Sequence, residues 1–351
     1  MIGCPASLEG SRIESVEGLD PDTDAAIAEA LHACIQETDL DSRLDNVTER
    51  TVGKVRDTYR VADSDKLVIV TTDRQSAFDR LLASIPFKGQ VLNLTSAWWM
   101  QQTQHLAANA LLDVPDPNVS IMQRCTVFPV EFVVRGFLTG STDTSLWTHY
   151  KAGEREYCGN SFPDGLKKND RLAENVVTPT TKAADHDVPI SSGEIVAQGL
   201  MSQGDWDTVS RTALALFKFG QEEAAKRGLL LVDTKYEFGK DASGTIRLVD
   251  EIHTPDSSRY WLADTYEARH AAGEEPQNID KEFLRLWFRE NCDPYHDKVL
   301  PEAPAELVKE LSRRYILLYE KITGQQFQIP PLDTDPKQRM AENVRKSLGR
   351  L

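Results

Sequence analysis

An acid, a base and an acid alternate along one stretch of this sequence. Residues 229–238 read LLLVDTKYEF and predict a strand, because aliphatic, β-branched and aromatic residues dominate them. Strand side chains alternate between faces, so Asp233, Lys235 and Glu237 share a face, with neighbours about 6.5–7 Å apart. A turn-like GKDASG segment and a second apolar run follow, and a hairpin would bring Asp250 close to the row. Buried carboxylates need a Lys, an Arg or a metal as partner, so the row indicates a buried charged cluster or, alternatively, the solvated face of an edge strand.

A glycine and two cations mark a second candidate site, in TVGKVRDTYRV at residues 51–61. The pattern predicts a strand broken at Gly53, where the backbone can approach a ligand. Lys54 and Arg56 place positive charge beside that point. The phosphate-loop pattern G-x-x-x-x-G-K-[ST] is absent, and two solvated cations on an exposed hairpin are the alternative.

Arg135 lies near the end of a strand predicted at residues 129–140, PVEFVVRGFLTG. Ser141 or Thr142 follows and predicts the cap of a helix that runs to Tyr150. An arginine beside a glycine-rich turn and a helix N-terminus suits a phosphate group. A purely structural arginine is the alternative.

Two polar segments complete the candidates. Residues 73–80, DRQSAFDR, follow the strand KLVIVTT and predict a loop, where functional residues are common. Residues 152–180 contain few apolar positions and predict a long loop. It leads into TPTTKAADHD, in which Lys182, His186 and Asp187 belong to a polar cluster that could ligate Mg²⁺ or bind substrate. A solvated turn is the alternative.

The elements that must position these residues indicate an α+β fold of two closely packed parts. Strand patterns dominate the first part, and helical periodicity of apolar residues recurs after it. An extension at residues 1–45 carries a short helix that Asp24 could cap, and a tail from residue 331 is expected to fray. Helices are predicted at 89–108, 192–201, 205–227, 263–272, 279–290 and 304–322.

Composition excludes several classes of protein. A net charge of −15 argues against nucleic-acid binding, which needs a basic face. No apolar run approaches the ~20 residues that cross a bilayer. Five scattered cysteines without a CxxC pair indicate neither a zinc site nor a disulfide scaffold, and they predict a soluble protein of a reducing, intracellular compartment. We expect the cytoplasm, or the plastid stroma if a transit peptide has been removed.

Seven blocks occur in order and together resemble the SAICAR synthetase (phosphoribosylaminoimidazole-succinocarboxamide synthase) family of purine biosynthesis. They are GKVRDTYRV, TTDRQSAFDR, IPFKGQVLN, PVEFVVRGFLTGS, TPTTKAADHD, GLLLVDTKYEFG and DEIHTPDSSRYW. The resemblance covers about residues 50–330 and is to the longer branch of the family, with an insertion at 143–175. It implies an ATP-grasp-like fold, in which a β-rich nucleotide-binding part at 46–128 packs on an α+β substrate and metal-binding part at 129–330.

The resemblance also implies a reaction and a set of roles. ATP, L-aspartate and carboxyaminoimidazole ribonucleotide (CAIR) would give SAICAR, ADP and phosphate through an acyl phosphate, in a monomer or homodimer. The positions that match the family's motifs are Lys54, Arg56, Ser76 and Glu237 for ATP, Glu237 and Asp250 for Mg²⁺, Lys235 and Asp233 for the reacting end of CAIR, Arg135, Ser141 and Arg259 for its phosphate, and Asp79, Lys182, His186 and Asp187 for the remaining substrate surface.

Two other classes of function use some of the same residues. A small-molecule kinase would need the nucleotide carboxylates but no amine acceptor. A non-catalytic binding subunit would be expected to lack the carboxylates, whereas Asp233, Glu237 and Asp250 are all present.

Overall fold

The computed structural model describes residues 19–78, 80–182, 188–279 and 282–351. The helices are α1 (Pro21–Ala30), α2 (Leu40–Arg43), α3 (Lys88–Gln102), α4 (Leu146–Lys151), α5 (Ser192–Ala197), α6 (Gln203–Ala225), α7 (Ala263–Ala271), α8 (Glu282–Asn291), α9 (Ala305–Thr323) and α10 (Pro336–Leu348). The strands are β1 (Val47–Val52), β2 (Arg56–Val61), β3 (Lys66–Thr71), β4 (Arg74–Ala77), β5 (Arg80–Ser84), β6 (Leu111–Asp116), β7 (Val119–Gln123), β8 (Thr126–Val127), β9 (Val130–Phe137), β10 (Glu156–Tyr157), β11 (Asn160–Ser161), β12 (Arg171–Val177), β13 (Thr180–Thr181), β14 (Val188–Pro189), β15 (Leu229–Lys240), β16 (Ile246–Val249) and β17 (Ser258–Leu262).

Two sheets organise the chain and confirm the α+β prediction. The first is antiparallel, with strand order β1-β2-β3-β7-β6. The second runs β14-β13-β9-β15-β16, and β12, β17 and β8 pair with its central strands. Two short hairpins, β4-β5 and β10-β11, stand apart from both sheets.

Strand β15 lies in the interior of the second sheet. It pairs with β9 along one side and with β16 and β17 along the other. Asp233 is opposite Arg135 of β9 and also opposite Arg259 of β17. Asp233 and Glu237 are both buried. The solvated edge-strand alternative is therefore wrong, because neighbouring strands occupy both sides of β15.

Helix α6 covers one face of this sheet. The Ser202 side chain caps it by accepting a hydrogen bond from the Asp205 amide at 3.1 Å, and Gly228, at φ +70°, turns the chain into β15. Val209 and Phe217 belong to its apolar stripe and pack in the same buried cluster as Leu231 and Tyr236. The helix thus packs on apolar residues of β15 from both sides of the register shift between Leu231 and Asp233.

The first and the last helix of the described residues pack on the main body. Helix α1 begins at Pro21 with Asp20, not Asp24, as its cap, and Ile27 joins a cluster with Tyr315 of α9. Helix α10 lies on the first sheet, where Met340 and Val344 are buried. The prediction of a frayed tail is wrong, because these apolar residues four positions apart give the helix a face that can be buried.

Three local predictions can be compared with the structure. Within the segment predicted as a loop, Arg74–Ala77 and the strand that begins at Arg80 pair as the β4–β5 hairpin, and Phe78 has φ +55°. The predicted break at Gly53 is confirmed, because β1 ends at Val52 and the antiparallel strand β2 begins at Arg56. Helix α4 starts at Leu146 instead of after Ser141 or Thr142, because the Ser145 side chain bonds back to Thr142.

The segment at 152–180 is an ordered unit and not a long loop. It contains the β10–β11 hairpin and strand β12, which pairs with β9. Tyr157 and Leu172 pack with Leu138 and Tyr150 in a separate apolar cluster. The cluster explains the order, because it buries apolar side chains that are too widely spaced to form a periodic pattern.

Candidate active site

Lys235 stands between two carboxylates on the second sheet. Its Nζ lies 2.8 Å from Glu131 Oε1 of β9 and 3.2 Å from Glu237 Oε1 of its own strand. The second oxygen of Glu237 accepts a hydrogen bond from Lys182, which follows β13. The result is a row of alternating charge, Lys182–Glu237–Lys235–Glu131. The contact between Lys235 and Glu237 confirms the prediction that they share a face of β15.

Charge, rather than burial, controls the Lys235 ammonium. Burial lowers the pKa of Lys235, but Glu131, Glu237 and Asp250 together outweigh it and raise the pKa above the usual range of lysine. The side chain is one-third exposed. Lys235 is therefore a permanent cation that can reach a ligand, and its chemistry is electrostatic stabilisation rather than proton abstraction.

Asp233 takes two arginines as its partners. Arg259 donates to Asp233 Oδ2, and Arg135 Nη1 lies 3.7 Å from the same oxygen. Arg135 is almost fully buried, and it also donates to Thr178 Oγ1 at 2.8 Å and to the Thr144 carbonyl at 2.9 Å. Burial and the charge of Arg259 lower the pKa of Arg135 against the opposing effect of Asp233. Two guanidiniums against one carboxylate leave a local positive charge, which suits an anion.

Ser141 lies near this arginine pair. It belongs to the exposed segment between β9 and α4, and the same segment supplies the Thr144 carbonyl that Arg135 binds. The resemblance grouped Arg135, Arg259 and Ser141, and the structure adds Asp233 as the carboxylate that both arginines contact.

Arg56 connects the first sheet to the end of β16. Its Nη1 lies 2.6 Å from Asp250 Oδ1 and its Nη2 lies 2.7 Å from Glu251 Oε1. Burial lowers the pKa of Arg56, but these carboxylates outweigh it and raise the pKa. Asp250 directly follows Val249, the residue that pairs with Glu237. A small cavity of about 20 Å³ lies beside this ion pair, between the first sheet and α3.

Arg74 is a functional candidate that sequence reasoning missed. It donates to the Gly53 carbonyl at 3.0 Å and to the Lys54 carbonyl at 3.2 Å, and its Nη2 lies 2.6 Å from Asp57 Oδ1. These bonds fix the turn that carries Lys54. Ser76, two residues further on, is half-buried in β4. Arg74 stands in the DRQS block, so its position was visible in the sequence but its target was not.

A second missed group is Lys88, at the start of α3, which pairs with Asp256 at 2.7 Å. Three predicted residues, Asp79, His186 and Asp187, lie outside the described residues. Among the residues described, no group of three or more His, Cys, Asp or Glu side chains could hold a metal. Glu237 and Asp250 remain as a pair of carboxylates, at neighbouring positions of the β15–β16 hairpin.

A family model described as SAICAR synthetase matches residues 49–302 of this chain. The chain is 59% identical, over 325 residues, to "Phosphoribosylaminoimidazole-succinocarboxamide synthase, chloroplastic" of Arabidopsis thaliana, a match that covers 93% of this chain and 79% of the relative. The solved Saccharomyces cerevisiae SAICAR synthase, in complex with SAICAR, is similar with a TM-score of 0.72 and 31% identity, over 84% of this chain and 100% of that one. A "SAICAR synthetase (Type-2) in complex with ADP" has a TM-score of 0.61 and 26% identity, over 80% of this chain and 100% of that one. No helix in the described part of the chain has the length and apolar character that a bilayer span requires.

Proposed function

Because this chain belongs to the SAICAR synthetase family and is therefore a ligase of purine biosynthesis, we propose that it joins L-aspartate to the carboxylate of CAIR. ATP is converted to ADP and phosphate in the same reaction. Two related structures support this choice of ligands, because one is described as a complex with SAICAR and the other as a complex with ADP. The observation that carries the proposal is the clustering of three charge networks along β15 and its neighbours, around Asp233, Lys235 and Asp250.

The chemistry explains why such a site needs charge more than acid–base groups. A carboxylate is a poor acyl donor, so the CAIR carboxylate first attacks the γ-phosphorus of ATP and ADP leaves. The aspartate amine then attacks the acyl carbon, phosphate departs and the amine loses a proton. Both steps develop negative charge on oxygen. The tasks of the protein are thus to align the reactants and to neutralise that charge.

Arg135 and Arg259 would bind the phosphate of CAIR, with Ser141 at the rim. The support is their geometry: both guanidiniums converge on Asp233, which orients them and leaves one positive charge uncompensated. Arg135 is further fixed by Thr178. A pre-oriented arginine pair can bind a phosphate in the bidentate manner that a lysine cannot provide.

Lys235 and Asp233 would face the reacting end of CAIR. Lys235 stays charged and is reachable, so its ammonium can stabilise the oxygens of the acyl phosphate as they gain charge. Lys182, with a side chain about one-third exposed and paired to Glu237, would serve the adjacent carboxylates of CAIR or aspartate. Asp79, His186 and Asp187 keep their proposed substrate roles from the motif match alone.

The nucleotide would lie where the first sheet meets the β15–β16 hairpin. Lys54, Arg56 and Ser76 would border its phosphates, since Arg56 already reaches across to Asp250. Glu237 and Asp250 fit the role of Mg²⁺ ligands, because Mg²⁺ in nucleotide sites takes one or two carboxylates and completes its shell with phosphates and water. Bound there, Mg²⁺ would neutralise charge on the ATP phosphates.

Residues 46–128 would then act as the nucleotide-binding part and residues 129–330 as the substrate part. The state as monomer or homodimer stays a prediction. The location also stays a prediction, and the chloroplastic label of the Arabidopsis relative supports the plastid as one possibility.

Measurement of ADP release with ATP, CAIR and L-aspartate tests the proposal. ADP release should require both co-substrates, and a phosphorylated product that persists in the presence of aspartate would indicate a kinase instead. The variant Arg259→Met should raise KM for CAIR about 100-fold, since a charge-assisted pair is lost at the phosphate, and should leave KM for ATP within twofold. Arg269→Met is the matched control, because Arg269 is similarly exposed and ion-paired, to Glu274, but lies on α7. Unchanged KM for CAIR in Arg259→Met would contradict the assigned phosphate site.

A further inference from the structure

Lys88 is a buried cation outside the ligand contacts proposed above. It is the first residue of α3, and its side chain is completely inaccessible to solvent. Its Nζ lies 2.7 Å from Asp256 Oδ2, and the hydroxyl of Tyr315 on α9 donates to the other oxygen, Asp256 Oδ1, at 2.6 Å. Two helices from distant parts of the sequence therefore hold a single carboxylate.

The position of Lys88 is unfavourable for a cation. Removing an ammonium from water costs several kcal/mol even after relaxation. The first turn of a helix carries the positive end of the helix dipole, which adds to that cost. The nearby carboxylate of Asp73 offsets part of it: burial raises the pKa of Asp73 to about 6, and the charge of Lys88 opposes that rise. A well-packed apolar pair would stabilise the fold at least as well as Lys88 and Asp256, so packing alone does not explain the ion pair.

Asp256 lies in the segment between β16 and β17, and a shift of this residue would displace residues of the candidate active site. The carbonyl of the next residue, Ser257, accepts a hydrogen bond from the Lys235 amide at 3.2 Å. The Ser258 hydroxyl bonds Thr234 at 2.8 Å, and Arg259 follows immediately. A displacement at Asp256 is therefore transmitted through two residues to the backbone of Lys235 and to the guanidinium of Arg259.

We propose that Lys88 is a positioning residue of the ligase. By holding Asp256 it fixes the start of β17, and through β17 it fixes the place of Arg259 at the anionic group of the substrate. The identity of that substrate as CAIR rests on the proposed function. Lys88 itself touches neither substrate, so its removal should weaken CAIR binding more than ATP binding.

Three variants test the proposal. Lys88→Met and Asp256→Asn should each lose stability, because each breaks a buried ion pair and leaves its other member buried. The double variant should recover stability, but its KM for CAIR should stay at least tenfold above wild type, with KM for ATP within twofold. A purely structural ion pair would give a double variant in which stability and KM recover together, and that result would overturn the proposal. Tyr315→Phe leaves the ion pair intact and should raise KM for CAIR two- to fivefold. If the double variant does not fold, an unchanged KM for CAIR in Tyr315→Phe would overturn the proposal.

Two further measurements separate this inference from its premise. The double variant Arg314→Met with Glu310→Gln removes a comparably buried ion pair, 2.8 Å long, elsewhere on α9 and should not change either KM. If wild type releases no ADP with CAIR and aspartate, the proposed function fails instead. Amide hydrogen exchange at residues 254–259 then tests the positioning role without substrate. Faster exchange in the Lys88→Met, Asp256→Asn double variant supports it, and unchanged exchange overturns it.

Discussion

Replacing Lys235 by methionine removes the central cation of the β15 network while keeping the length of the side chain. Two carboxylates lose a partner. Among the described residues, Glu131 keeps a 3.5 Å hydrogen bond from Thr180, and Glu237 still binds Lys182. Both carboxylates are about nine-tenths buried. Of the two carboxylates that pair with Lys235, Glu131 then has no cation among the described residues, whereas Glu237 has Lys182.

The expected loss of stability follows from this arrangement. Breaking a buried ion pair costs about 3–5 kcal/mol, but Lys235 is one-third exposed and only one carboxylate is left without a cation, so we expect about 1–3 kcal/mol. The expected loss of activity is larger. Removing one group that stabilises charge in the transition state lowers kcat by about 10²–10³. A stability loss of this size would leave the protein folded at 25 °C, because domains are commonly stable by about 5–15 kcal/mol.

Two assays separate the effects. Urea unfolding gives the change in stability, and ADP release with saturating ATP, CAIR and L-aspartate gives kcat. The double variant Lys235→Met with Glu131→Gln removes the unpaired carboxylate, so it should regain stability and remain inactive. Lys168→Met is the control. Lys168 lies in the segment that precedes β12, its side chain is 35% exposed, and it pairs with Glu275. A folded Lys235→Met protein with kcat within fivefold of wild type would refute an electrostatic role for Lys235.

Three other predictions concern the scaffold. Gly220→Ala should destabilise the protein by about 1–3 kcal/mol, since a Cβ would lie 2.4 Å from His253 Cε1, whereas Gly204→Ala on the same helix meets nothing within 4 Å and should be neutral or stabilising in thermal unfolding. Burial lowers the pKa of His253 to about 3. In the unfolded chain His253 takes up a proton near pH 6.5, while in the folded protein it stays neutral. The urea midpoint should therefore fall as the pH drops from 6.5 towards 3, and it should fall less steeply in His253→Gln. Equal slopes in the two proteins would contradict this prediction. Arg339→Met should lower the free energy of unfolding in urea by about 3 kcal/mol, because it removes the cation that lies 2.9 Å from the fully buried Asp116 side chain. A loss below about 0.5 kcal/mol would show that α10 contributes little to stability.

Local patterns predicted the elements around the site. The alternation of Asp233, Lys235 and Glu237 between apolar residues identified β15 and the face that carries the charges, because strand periodicity is a property of the backbone. The apolar spacing in α6 and α9 predicted those helices for the same reason. The family's motifs also placed Arg135 and Arg259 in one group before their contact with Asp233 was known.

The partners of these residues could not be predicted in the same way. Glu131 binds Lys235 across 104 residues, and Lys88 binds Asp256 across 168. Such pairs depend on strand register and on how helices pack, which no local pattern encodes. The sequence placed Asp233 and Lys235 on one strand face but not their partners, which are Arg135 and Arg259 for Asp233. The partners of Lys235 are Glu131 and Glu237.

The distribution of charge along β15 suggests how two anionic substrates are ordered in an acidic protein. At the Asp233 end, two guanidiniums surround one carboxylate. At the Asp250 end, two carboxylates bind the single guanidinium of Arg56. The first end attracts a bare phosphate, while the second repels one unless a divalent cation accompanies it. We therefore expect the CAIR phosphate at Arg135 and Arg259, and ATP with its metal at Asp250, so that their reacting groups meet near Lys235. Glu251→Gln removes one negative charge from the Asp250 end. This variant should therefore depend less on Mg²⁺ for ADP release, while its KM for CAIR should stay unchanged.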